Sequence, residues 1–200
     1  ASGGYNDVPQ RGYDFQAPLG QYGQAHPTLA ALRPLHLFLQ SFGERLAPMA
    51  VYAPQQRPAR ADDLQTLRWS VRSDGRSGFL FVNNHVRQHA MPTHEGVRFR
   101  VELPGGETLT LPQHGVRIAP GQAFIWPLRM DLGGIELRWA SAQALTTLTD
   151  ADGALQVFSA DAPPEFAFHA DALRGVEGTR AERSKEGGRL PALPLRCGAP

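Results

Sequence analysis

The sequence predicts a mainly β fold: an antiparallel β-sandwich-like domain preceded by one amphipathic helix. Three observations carry this. "VRFRVEL" (97–103) alternates strictly, with Val97, Phe99, Val101 and Leu103 facing one way and Arg98, Arg100 and Glu102 the other. Turn-forming clusters recur at roughly 8–12-residue spacing from about Gln65 to His169. Helical spacing dominates one segment, where Leu32, Leu35, Phe38, Leu39, Phe42 and Leu46 recur mostly three or four apart.

Taken in order, residues 1–11 are small and polar and read as loop. "GYDFQAPLGQYGQ" (12–24) crowds aromatics, a carboxylate and turn residues into a stretch without period. The helix follows, with Thr28 as a plausible N-cap. Pro34 would clash with the carbonyl four residues back, so the helix should kink or begin there. Gly43 and Pro48 mark its end, and its apolar face needs a partner surface. Residues 51–64 are a proline-rich polar linker. Strand candidates are 78–84, 97–103, 107–112, 122–128, 135–140, 144–148, 154–159 and 165–169, most with weaker alternation than 97–103. Between them, glycine supplies positive φ, proline fixes φ, and aspartate bonds its own backbone. The domains are therefore 1–50, linker 51–64, a β domain over 65–172, and an irregular tail over 173–200.

Composition narrows the function classes. Lys plus Arg number 20 and Asp plus Glu 19, so no large field would steer nucleic acid or an anionic membrane. No apolar run reaches membrane-spanning length, and no basic-then-apolar signal peptide opens the chain. Cys197 is the only cysteine, which rules out an internal disulfide and a cysteine metal cage. The start "ASGGYND" lacks an initiator methionine and points to a processed or excised piece.

The chemistry-bearing motifs are few. His85, His89 and His94 invite a metal reading, but residues four apart on a strand lie about 13 Å from each other, too far for one zinc ion. No metal and no cofactor is expected. "DADGAL" (150–155) begins like a calcium loop but lacks the later ligands, so it reads as a hairpin turn. Sugar hydrolysis needs two facing carboxyl groups. Glu95, Glu102, Glu107 and Glu136 read as solvated faces, and no pair stands out, so no catalytic residue is assigned in this chain. Tyr13, Asp14 and Phe15 could stack on a sugar ring and take its hydroxyls, although a packed loop explains their spacing as well.

"GYDFQAPLGQYGQ" followed by "LAALRPLHLFLQSFG" resembles the end of the catalytic barrel in glycoside hydrolase family 35, the β-galactosidases. There a Thr-Ser-Tyr-Asp-Tyr-Asp-Ala-Pro-Leu-type loop leads into the last barrel helix. Tyr13, Asp14, Ala17, Pro18 and Leu19 match it; Phe15 stands at the second tyrosine, Gln16 at the second aspartate, and Arg11 and Gly12 at the Thr and Ser. "GFLFVNNHVRQ", "FRVELPGGETLTLPQHG" and "LRWASAQALTTL" are similar to the β domain that follows the barrel in bacterial and fungal members.

The resemblance implies that the helix is the last of a (β/α)8 barrel whose N-terminal portion is missing here. It implies a retaining hydrolase removing terminal β-galactose, with both catalytic glutamates on earlier barrel strands. It also implies that Tyr13, Asp14 and Phe15 bind substrate, a galactoside or other carbohydrate. Phe15 can stack on the sugar but cannot donate the hydrogen bond expected of tyrosine. Family members are often exported, to the periplasm or outside the cell. The alternative from the residues alone is a non-catalytic β-sandwich that binds carbohydrate or props a neighbouring domain.

Overall fold

The computed structural model describes residues 17–150 and 153–169, the side chain of Asp150 excepted. Over this range the protein is mainly β with antiparallel sheets and a single helix. Helix α1 spans Pro27–Leu46. Its N-cap is His26, not Thr28, because Pro27 takes the first helical position, where its fixed φ suits a helix and its missing N–H costs nothing. The helix runs on through Pro34, so the proline neither starts nor stops it. The described helix is not apolar enough to cross a membrane.

Strands β1 (Ala50–Tyr52), β2 (Arg68–Ser73), β3 (Gly78–Asn83), β6 (Ala123–Asp131), β7 (Glu136–Ala140) and β10 (Phe166–Phe168) form one six-stranded antiparallel sheet in the order β1-β2-β3-β6-β7-β10. Strands β4 (His94–Glu102) and β5 (Thr108–Ile118) pair as one hairpin, and β8 (Gln143–Asp150) and β9 (Gly153–Ser159) as another. The second hairpin brings Asp150 opposite Gly153, as expected for "DADGAL". Two of the sheet strands were not singled out from the sequence. Val51 and Tyr52 belong to β1, inside the stretch read as linker, and β2 is too polar for a clean alternation.

The sheet is buried on both faces, which explains the weak alternation of "GFLFVNN". In β3, Phe79 and Phe81 face one core while Leu80 and Val82 face the other. A strand covered on both sides reads as a continuous apolar run. One core joins the sheet to the β4–β5 hairpin through Leu80, Trp126, Leu128, Phe99 and Leu111. The other joins it to α1 and β8 through Phe38, Phe42, Leu46, Phe79 and Ala144.

Helix α1 is thus docked on the β domain of its own chain. Phe38 is fully buried and meets Phe79 edge-on with ring centroids 5.0 Å apart. Ser41 Oγ lies 2.7 Å from Thr146 Oγ1 and accepts the Thr147 N–H, lacing the helix to β8. The end of 51–64 is pinned too: Asp63 accepts from the Gln65 and Thr66 amides, and Arg68 donates to the Asp63 carbonyl.

Candidate functional site

Tyr13, Asp14 and Phe15 lie outside the described residues. The described remainder of their stretch, from Ala17, is a compact reversal that delivers the chain into α1. Leu19 bridges Ala25, the Gly20 N–H donates to the Gln24 carbonyl at 2.8 Å, and the His26 N–H donates to the Pro18 carbonyl. At Gly20 the Gln24 and His26 side chains close over the backbone, in space that a Cβ would share. Tyr22 projects from the turn, 85% exposed.

Beyond this turn, an open groove of about 990 Å³ borders the N-terminal half of α1, where Ala31, Pro34 and Leu35 line it. It exists because the sheet is incomplete at this end. Strand β6 pairs with β3 from Ala123 to Leu128, but β7 joins it only from Leu128 onward. On the side away from β3, the Ile125 N–H donates instead to the Gln143 side-chain oxygen at 3.3 Å. Trp69, Val82 and Phe124 stand opposite one another across β2, β3 and β6, so they share a sheet face along the groove. Phe124 stacks on Trp126 with centroids 4.4 Å apart and planes 24° apart. Polar groups border these rings: Gln122 Nε2 donates to Asp161 Oδ2 at 3.2 Å, and Gln122 Oε1 accepts the Ala119 N–H.

The carboxylates of the β domain are tied to local structure. Glu95 meets Arg117 at 3.1 Å, Glu102 meets Arg100 at 3.3 Å, Glu107 meets Arg138 at 2.6 Å and Glu136 meets Arg129 at 3.2 Å. Hydrogen bonds from Arg129 outweigh partial burial and hold Glu136 below the usual carboxylate range. Burial opposes ionisation of Glu165, but the His114 and Gln113 amides prevail and hold it low as well. Asp63 and Asp74 are lowered by their own turns, chiefly through Thr66 and Ser77 respectively. A general acid needs the opposite displacement, upward toward neutral pH. These four carboxyl groups are therefore built as ionised anchors for loops and arginines.

Among the described residues no group of His, Cys, Asp or Glu is placed to hold a metal ion. His85 and His89 sit exposed in the loop after β3, and His94 opens β4. The groove residues were missed in the sequence. Trp69, Gln122, Phe124 and Asp161 come from separate segments, and only the i, i+2 pair Phe124 and Trp126 left a local signal. No protein-family model and no curated protein matches the chain.

Proposed function

We propose that this chain is the C-terminal part of a family 35-like β-galactosidase: the final loop and helix of a catalytic barrel, carried by a β domain that braces it. The observation that carries this reading is the half-covered helix. Phe38, Phe42 and Leu46 dock on the chain's own sheet, while Leu35 and Leu39, adjacent on the same apolar stripe, stay 39% and 43% exposed. At 100° per residue, Leu39 lies about 20° past Leu46 at one edge of the docked face, and Ser41, which meets β8, lies at the other; Leu35 shares the angle of the docked face but sits about two turns nearer the helix start than Phe42. Apolar residues left open at the edge of a docked face and toward its start suit a helix shared between two bodies. The resemblance of 12–24 to a barrel-end loop supplies the identity of the second body.

In this reading the catalytic glutamates come from a barrel encoded ahead of residue 1, and Tyr13, Asp14 and Phe15 contribute to the galactose site. The test is hydrolysis of an aryl β-galactoside by the 200-residue chain and by the whole gene product. Turnover is expected from the second alone, and Tyr13→Ala in the whole product should lower it. The groove beside α1 favours a second reading, a non-catalytic carbohydrate-binding domain, since it joins half-buried aromatic rings to hydrogen-bonding side chains.

A further inference from the structure

The groove at the open end of the sheet has no part in that loop, and its chemistry is specific enough to name a ligand class. We propose that it is a subsite for a neutral oligosaccharide, a proposal that rests on the carbohydrate-binding reading. Trp69 and Phe124 are each only partly buried and line the groove from the same sheet face, one residue apart across β3. Aromatic rings of this kind pack against the C–H face of a sugar, while neighbouring polar groups take its hydroxyls. Gln122, Asp161 and Gln143, which also line the groove, supply both donors and acceptors. Asp161 uses Oδ2 for Gln122, leaving Oδ1 for a ligand. Gln143 uses its oxygen for Ile125, leaving its amide N–H groups for a ligand.

Charge argues for a neutral ligand. The charges along the groove balance: Arg117 faces Glu95, and Arg68, which donates to the carbonyls of Thr66, Ala61 and Asp63, is offset in charge by Asp161 and Glu165. Glu165 is likewise occupied by the Gln113 and His114 amides. What is left to a ligand is ring surface plus a few hydrogen bonds, with no concentrated charge of either sign. Trp69 and Phe124 stand two strands apart, roughly 10 Å, a span that suits more than one sugar ring.

Two of the three tryptophans, Trp69 and Trp126, line the groove, so tryptophan emission reads occupancy directly. Titration of the 200-residue chain with galactotriose should change that emission saturably. Phe124→Leu should weaken binding about tenfold by removing one ring contact. Asp161→Ala, at an exposed position, should weaken it without touching the core, and it decides the matter if Phe124→Leu does not fold. Binding that survives both substitutions but is lost in Tyr13→Ala would overturn the groove site while keeping carbohydrate binding at the loop. Calorimetry of the same titration separates the two sites: heat of binding without an emission change would overturn the groove and keep the loop, and neither signal would overturn both.

Discussion

Two sets of apolar residues on α1 meet different fates. Phe38 and Phe42 are sealed among Phe79, Ile125 and Met130, whereas Leu35, which borders the groove, and Leu39 are open to solvent. The difference lies in what the sheet offers. Over the C-terminal half of the helix, β3, β6 and β8 present a continuous apolar floor. Toward the N-terminal half, where Leu35 lies, β7 has parted from β6 and a groove replaces the floor, while Leu39, between Phe38 and Phe42 in sequence, is open because of its angle on the helix. Amphipathic width alone says how much surface a helix wants covered. It does not say how many bodies cover it.

The comparison can be broken most sharply at Phe38. Phe38→Ala empties a fully buried site and should cost about 3–5 kcal/mol, read from urea melts of the chain. A cost under about 1 kcal/mol would mean that the helix is not held on the sheet as described. The next effect is smaller and pH-dependent. Glu165 is held below its ordinary range, so its contribution is full above about pH 4.5 and fades as pH falls through the lowered folded value. Glu165→Gln should therefore lower Tm at neutral pH and converge with the parent in acid. The apolar helix dock should show no such dependence, so the Phe38→Ala penalty should stay level over the same range.

Ser41→Ala removes the bond to Thr146 and the acceptor of the Thr147 N–H, and should cost about 1 kcal/mol. The smallest effect belongs to the open edge. Leu39→Ser should change the stability of the isolated chain by no more than about 0.5 kcal/mol. It should nevertheless reduce self-association in sedimentation if that edge is an unfilled contact surface. A large loss of stability from Leu39→Ser would erase the distinction between the two sets.

Much of the fold was legible because its signals are local. The helix needed only 3.6-residue spacing, and β4 needed only the alternation of Val97, Phe99 and Val101. Strand β1 was not legible, since three residues flanked by a proline-rich run carry too little pattern. Alternation fails again in β6, where Arg129 adopts a positive φ and Leu128 and Met130 end up in different cores despite their i, i+2 spacing. The dock of α1 on its own sheet was hidden for another reason: periodicity identifies a face but not the surface opposite it. The groove was hidden because Trp69, Phe124 and Asp161 meet only through the sheet's register and its incomplete edge.

The most direct test of the proposed function is hydrolysis of an aryl β-galactoside by the whole gene product, expressed from its natural start codon, beside the 200-residue chain. The account predicts turnover by the whole product and none by the chain. Turnover by the chain alone, or none by the whole product, would contradict it.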